Sequence, residues 1–142
     1  MPTKVLYIED AIEQANLITE ILEFQFEDIE VQTASDGWEG LNKARTREPD
    51  LILLDLMMPR SDGIEVIHRI RRDSKIKDVP IVVLSAWVGP GSQASHIAMQ
   101  AGADAVFAKP LEVEQLVNIV ARYARSSGST RQSGPDSAQE RT

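Results

Sequence analysis

The chain has 142 residues, 42% of them apolar, a formal charge of -7 and no cysteine. This length suits a single domain with a substantial core, and the lack of cysteine excludes a disulfide framework, thiol catalysis and thiolate metal sites. No apolar run reaches membrane-spanning length and the N-terminus lacks the apolar stretch of a signal peptide, so we expect a cytoplasmic protein that does not enter the membrane.

The excess negative charge lies in residues 1–125, because residues 126–142 carry two basic and two acidic side chains. An acidic globule repels nucleic acid phosphates unless it carries a separate basic face. The one basic stretch, HRIRRDSKIK, is interpreted as a solvated helix end with cations placed favourably for the helix dipole. We therefore expect no direct binding to nucleic acid.

Short β-branched and apolar runs alternate with helical patterns along the first 125 residues. The runs predict five strands at Val5–Ile8, Val31–Ala34, Leu51–Leu54, Ile81–Leu84 and Ala105–Ala108. Apolar residues at helical spacing predict one helix after each strand. The residues that carry these patterns are Ala11, Ala15, Ile18 and Leu22, then Trp38, Leu41 and Ala44, then Ile64, Ile67 and Ile70, then Ala94, Ile97 and Ala98, and finally Val113, Leu116, Val117, Val120 and Tyr123.

This alternation predicts an α/β fold, a doubly wound (βα)₅ flavodoxin-like sandwich with a parallel five-stranded sheet of order 2-1-3-4-5. Asp36 and Glu39 are spaced as a capping box for the second helix. The domain is predicted to occupy residues 1–125. Residues 126–142 contain a single apolar side chain, Ala138, and predict a flexible polar tail.

Polar side chains follow four of the predicted strands at the edge where their carboxyl ends meet. Glu9 and Asp10 follow the first strand, Asp55 the third, Ser85 the fourth and Lys109 the fifth. Adjacent strands lie about 4.8 Å apart, so these groups can converge in a pocket roughly 10 to 15 Å across. We expect one site at this edge.

Three neighbouring carboxylates raise one another's pKa values unless a cation lies between them. Oxygen ligands without cysteine favour Mg²⁺, with Mn²⁺ as a possible substitute. With the acids neutralised, Asp55 can act as a carboxylate nucleophile towards a phosphoryl donor. Lys109 can then neutralise phosphoryl oxygens, and the Ser85 hydroxyl can donate a hydrogen bond to one of them. His68 and His96 lie on different predicted helices and are interpreted as ordinary surface or boundary residues.

The segments VLYIED, LILLDLMMPRSDG, VVLSA and AGADAVFAKP resemble the hallmark segments of bacterial response regulator receiver domains. The match spans roughly residues 3 to 125. The resemblance implies that Glu9 and Asp10 are metal-binding acids, with Asp10 the direct ligand, and that Asp55 receives the phosphoryl group and also contacts the metal. Met57 falls where this family supplies a backbone carbonyl to the metal.

The same resemblance places Ser85 at the switch Ser or Thr position and Lys109 at the invariant lysine. Pro110, which follows the lysine, is often joined to it by a cis peptide in this family. Pro59 and Gly63 correspond to the family's loop and helix-start residues.

Two features depart from the family pattern. The position three residues before Lys109, often aromatic in the family, is Val106, and Phe107 should face the other side of the sheet because strand side chains alternate. We therefore expect switching with little aromatic rotamer change. Met57 and Trp87 are bulky apolar residues placed to shield an acyl phosphate from water, which predicts a long-lived phosphorylated form.

These features predict a stand-alone response regulator of a two-component system, a signalling domain that assists its own phosphorylation and dephosphorylation but is not otherwise an enzyme. Its partners would be a histidine kinase or histidine phosphotransfer protein, and a downstream protein effector that reads helix 4, strand 5 and helix 5. The residues define neither these partners' identities nor an oligomeric state.

Three other functions are compatible with the topology. In a flavodoxin-like FMN carrier, the loop after strand one should be rich in Ser, Thr and Gly, whereas here Glu9 and Asp10 would repel the phosphate. An aspartyl phosphatase usually carries its nucleophile after the first strand, and Asp55 follows the third. A pseudo-receiver would not need to retain all the acids together with Ser85 and Lys109.

Overall fold

The computed structural model describes residues 2–58, 61–86 and 92–124, with Ser61 described by its backbone alone. Five strands form one parallel sheet: β1 (Thr3–Ile8), β2 (Ile29–Ala34), β3 (Leu51–Leu54), β4 (Ile81–Ser85) and β5 (Ala105–Ala108). The helices are α1 (Ile12–Gln25), α2 (Gly37–Arg47), α3 (Gly63–Arg72), α4 (Gln93–Ala101) and α5 (Val113–Tyr123). The predictions for Pro59, Trp87 and residues 126–142 lie outside the described residues.

The strands are arranged in the order β2-β1-β3-β4-β5, which confirms the predicted doubly wound topology. The central strands are buried on both faces because helices cover both sides of a parallel sheet. One face of the sheet packs against α2, α3 and α4, where Ile8 and Ile52 of the strands share a core cluster with Ile67 of α3. The other face packs against α1 and α5, where Tyr7 and Leu53 of the strands share a second core cluster with Leu116 of α5.

Strand alternation assigns neighbouring residues of β5 to opposite faces, as the sequence predicted. Val106 packs against the cluster that contains α3 and α4 residues. Phe107 packs on the α1 and α5 side, where its ring meets Tyr123 edge-on with 6.5 Å between ring centroids. Phe107 therefore does not occupy the side of the sheet on which Val106 lies.

A short antiparallel pair, Met57–Met58 with Ser61–Asp62, was not predicted. It forms between β3 and α3, beside the carboxyl ends of the strands. Gly63 begins α3 directly afterwards, and a Cβ at this position would lie 2.8 Å from the Leu56 Cα. The close approach of two backbones explains why a glycine is required at this helix start.

Three apolar residues assigned to helix faces are more exposed than the patterns suggested. Trp38, Ile97 and Val113 keep 61%, 41% and 44% of their surface accessible. Trp38 is the second residue of α2 and lies beneath the Arg69 guanidinium of α3, 4.8 Å from the ring centroid. A cation over an indole face stabilises this pair at the surface, so the ring does not need to enter the core.

Candidate functional site

The predicted edge of the sheet brings three acids together. Glu9, Asp10 and Asp55 offer carboxylate oxygens that all lie within 4.8 Å of one another, and Asp10 is the most exposed of the three. Glu9 is 3% exposed and Asp55 6% exposed. The strand ends position them, since the Asp55 amide donates to the Ile8 carbonyl and the Glu9 amide donates to the Ala34 carbonyl.

Lys109 reaches into this acidic cluster from the end of β5. Its Nζ donates to Glu9 Oε1 at 2.7 Å and to Asp55 Oδ2 at 3.3 Å. A third hydrogen bond, at 2.7 Å, goes to Gln14 Oε1 on the first turn of α1. The Lys109–Pro110 peptide is cis, as the sequence resemblance implied.

Ser85 is fully buried and is the last residue of β4. Its carbonyl accepts a hydrogen bond from the Lys109 backbone amide at 3.1 Å, which ties the ends of β4 and β5 together. A cavity of about 620 Å³ surrounds the acids and extends between α1 and the start of α5. Met57 and Lys109 line this cavity, and Ser85 does not. The hydroxyl's role towards a phosphoryl group stays a prediction.

Tyr7 is a member of the site that the sequence interpretation missed. It is fully buried in β1, and its hydroxyl donates to Glu9 Oε1 at 2.8 Å. The available signal was the strand period of two, which directs Tyr7 and Glu9 to the same face. Burial and the negative charge of Glu9 hold the pKa of Tyr7 far above its ordinary value, so the hydroxyl remains a donor.

The two buried acids differ in their protonation equilibria. Burial raises the pKa of Glu9, but hydrogen bonds from Lys109 and Tyr7 and the charge of Lys109 outweigh it, so the pKa lies below its ordinary value. Burial also raises the pKa of Asp55, where the Met57 amide hydrogen bond opposes the shift, the charge of Glu9 adds to it, and the net direction is upward. Burial, with a smaller contribution from Glu9, thus disfavours the charged form of Asp55, and a cation bound beside it would stabilise that form.

The acids fit a hard divalent cation by their chemistry. Asp10 and Asp55 supply carboxylate oxygens of the kind Mg²⁺ prefers, while both oxygens of Glu9 already accept hydrogen bonds, from Tyr7, Lys109 and the Ala11 amide. The Met57 amide donates to Asp55 Oδ1 at 3.1 Å, which holds the backbone of residue 57 beside the cluster. The carbonyl contact expected of Met57 stays a prediction.

The remaining sequence expectations concern the surroundings of the site. The Met57 side chain lines the cavity and keeps 52% of its surface accessible, so it is not buried over the acids. Shielding of an acyl phosphate by Met57 stays a prediction.

His68 and His96 lie on α3 and α4 and are not part of the acidic cluster. Across the described residues, none of the helices combines the length and apolar character needed to cross a bilayer.

Comparison with known proteins places this arrangement in a family. The response regulator receiver domain model matches residues 5–121. The chain is 37% identical over 115 residues to the DNA-binding dual master transcriptional regulator RpaA of Synechocystis, covering 80% of this chain and 46% of RpaA. It is 28% identical over 124 residues to the polar-differentiation response regulator DivK of Brucella anthropi, covering 87% of this chain and 97% of DivK.

Solved structures agree with this assignment. The chemotaxis protein CheY4 of Vibrio cholerae superposes with a TM-score of 0.79 at 30% identity, covering 87% of this chain and 99% of that one. A response regulator from Chloroflexus aurantiacus superposes with a TM-score of 0.76, also at 30% identity, covering 85% of this chain and 96% of that one. The chain therefore belongs to the response regulator receiver domain family of two-component signal transduction.

Proposed function

We propose that Asp55 accepts a phosphoryl group from a histidine kinase or histidine phosphotransfer protein, in the cytoplasm and with Mg²⁺ bound. The observation that carries this proposal is the convergence of Glu9, Asp10 and Asp55 with the Lys109 ammonium at one edge of the sheet. Glu9 and Asp55 both follow buried strands and both contact the ammonium, but Glu9 Oε1 is held by Tyr7 and Lys109 together and its Oε2 by the Ala11 amide. Asp55, which follows β3 where the resemblance to receiver domains places the phosphoryl group, is the candidate nucleophile.

In the proposed reaction, an Asp55 carboxylate oxygen attacks the phosphorus as the bond between phosphorus and the donor's leaving atom breaks. Mg²⁺, held by Asp10 and Asp55 with the Met57 carbonyl, would supply positive charge to the phosphoryl oxygens. Lys109, already 3.3 Å from Asp55 Oδ2, would neutralise a further oxygen, and Ser85 would donate a hydrogen bond after a local rearrangement.

The output of the proposed switch is a protein contact on the face formed by α4, β5 and α5. Phosphorylation would bias a two-state equilibrium of this face, and the downstream effector would bind one of the two states. Ile97 and Met99 are exposed apolar side chains of α4 on either side of the buried Ala98, so at most one of them faces β5 and α5.

The test replaces the acceptor oxygen by a nitrogen of nearly equal size. Wild type incubated with acetyl phosphate and Mg²⁺ should gain one phosphoryl group, which mass spectrometry should locate on Asp55. Asp55→Asn should gain none, and removal of Mg²⁺ with a chelator should abolish labelling of the wild type, because metal and carboxylate are both required.

Asp62→Asn is the matched control, since Asp62 is an exposed aspartate of the same loop that caps α3, a role asparagine also fills. It should be labelled like wild type. Labelling of Asp55→Asn at the wild-type rate and stoichiometry would reject the assignment of Asp55.

A further inference from the structure

Gln14 contacts the acidic site but has no role in the proposed reaction. It lies on the exposed first turn of α1, and its amide oxygen accepts a hydrogen bond from Lys109 Nζ at 2.7 Å across 95 positions of sequence. An ammonium can only donate, so the oxygen of the Gln14 amide must be the atom that faces it. This bond is as short as the one from Lys109 to the buried Glu9 carboxylate.

The Lys109 ammonium has three N–H donors, and the structure gives it three acceptors. These are Glu9 Oε1 at 2.7 Å, Gln14 Oε1 at 2.7 Å and Asp55 Oδ2 at 3.3 Å. All its donors are therefore used in the unphosphorylated protein. Phosphorylation replaces the Asp55 Oδ2 contact, the longest of the three, and the ammonium must move from its present position to follow the phosphoryl oxygens, which strains one of the two remaining bonds.

The three acceptors differ in how readily they can be released. Glu9 is buried and charged, and its Oε1 is also held by the Tyr7 hydroxyl, so losing the ammonium would leave an uncompensated buried charge. Asp55 would itself carry the phosphoryl group. Gln14 is neutral and exposed, so water can satisfy its amide after release. Of the two acceptors that phosphorylation does not modify, Gln14 is therefore the one released at the lower cost in free energy.

We propose that Gln14 is a positioning residue that holds the Lys109 ammonium in the unphosphorylated protein and releases it when a phosphoryl group arrives on Asp55. This inference rests on the proposed function of Asp55. Because the Gln14 bond exists in the unphosphorylated state and is lost in the other, it stabilises the first state relative to the second. Gln14 thus weakens binding of the phosphoryl group and sets the proportion of activated protein.

The test measures binding of beryllium fluoride, a phosphoryl mimic, by isothermal titration calorimetry in excess Mg²⁺. Gln14→Leu removes the acceptor at similar size and should bind the mimic about two- to fivefold more tightly, a modest factor because the lost bond is exposed to water. Gln14→Glu supplies a charged acceptor and should bind it more weakly than wild type, since charge-assisted hydrogen bonds are stronger. A mimic avoids the kinase, so a change in kinase docking cannot produce this result.

Three measurements distinguish a specific contact between Gln14 and Lys109 from a general effect of the substitution. Glu13→Gln, on the adjacent exposed residue, removes a charge without touching the Lys109 contact and should change mimic affinity less than either Gln14 variant. The ¹⁵Nζ signal of Lys109 in the protein without the mimic should move in Gln14→Leu and stay in place in Glu13→Gln. Mg²⁺ affinity of Gln14→Leu, measured without the mimic, should equal that of wild type.

Mimic affinity of Gln14→Leu equal to or weaker than wild type would overturn the role of Gln14, as would an equal gain in Glu13→Gln. A Lys109 signal that does not respond to Gln14→Leu would also overturn it. If wild type fails to bind beryllium fluoride with Mg²⁺ present, the proposed phosphoacceptor function itself fails, which is a different result from wild-type binding that Gln14 does not affect.

Discussion

Among individual residues, the Tyr7 hydroxyl shows how a buried side chain can position a functional acid. It donates to Glu9 Oε1 beneath the cluster, on the same oxygen that Lys109 contacts. Two donors on one oxygen fix the orientation of the Glu9 carboxylate. Tyr7 thereby connects the core between β1 and the α1 and α5 helices to the acidic edge of the sheet.

Tyr7→Phe should lower the free energy of unfolding by about 1 to 3 kcal/mol, because a buried charged acceptor loses one of its donors while the ring still fills its space. Urea denaturation at neutral pH measures this change. Tyr123→Phe is the control, since it removes a hydroxyl from a partly buried ring at the end of α5. Equal losses in the two variants would contradict a specific role for the Tyr7–Glu9 hydrogen bond.

At the element scale, the start of α2 depends on two acids in slightly different roles from those predicted. Asp36 caps the helix, accepting from the Glu39 amide at 2.8 Å. Glu39 does not reach back to the Asp36 amide as in a capping box; its Oε1 accepts from the Ser35 amide at 2.8 Å and the Ser35 hydroxyl at 2.9 Å. The spacing predicted the helix start, and the preceding turn decided which amide Glu39 contacts.

This contact predicts a pH dependence of stability. Hydrogen bonds from the Ser35 amide and hydroxyl hold the pKa of Glu39 below its ordinary value of 4.5. Because the pKa of Glu39 is lower in the folded than in the unfolded protein, its stabilising contribution is complete at pH values above the unfolded-state pKa. This contribution disappears as the pH falls through the folded-state pKa. Glu39→Gln should therefore cost about 0.3 to 1 kcal/mol at pH 7, a small figure because the group is exposed and screened.

Urea denaturation of wild type and Glu39→Gln from pH 7 to pH 3 tests this expectation. The difference between them should shrink below about pH 4.5 as Glu39 becomes protonated. Glu20→Gln, an equivalent neutralisation at an exposed position within α1, should show a smaller difference at pH 7. A Glu39→Gln difference that stays constant or grows towards low pH would contradict the assignment.

At the scale of the whole molecule, Arg71 joins elements at the end of the sheet opposite the acids. Its guanidinium donates to the Gly102 carbonyl at 2.9 Å and the Val79 carbonyl at 2.6 Å, and pairs with Asp104 at 3.0 Å. Asp104 Oδ2 also accepts from the Ile81 amide, which begins β4. Arg71 thus links the end of α3 to the start of β4 and the turn between α4 and β5.

Arg71→Lys should destabilise the fold by about 2 to 3 kcal/mol although it keeps the charge, because an ammonium cannot reproduce the guanidinium fork. Arg72→Lys, at the exposed neighbouring position, should change stability by less than about 0.5 kcal/mol. Affinity for beryllium fluoride should be unchanged in both variants. Equal stability of the two variants in urea denaturation would contradict the role assigned to Arg71.

The five strands, the five helices and the order of the sheet could be predicted from the sequence. Periodicity is a local property, and the carboxyl ends of parallel strands meet at one edge whatever the details of packing. The sequence alone therefore predicts one shared site for Glu9, Asp10, Asp55 and Lys109. The face occupied by Phe107 followed from the same alternation.

Which groups contact one another within that edge depends on tertiary packing and could not be predicted. The bond from Lys109 to Glu9 spans 100 positions and the bond to Gln14 spans 95, so both depend on how α1 and β5 pack. The short strand pair beside Met57 and the exposure of Trp38 likewise depend on neighbouring elements. Hydrogen-bond partners are set by distances of a few tenths of an ångström, which no pattern along the chain contains.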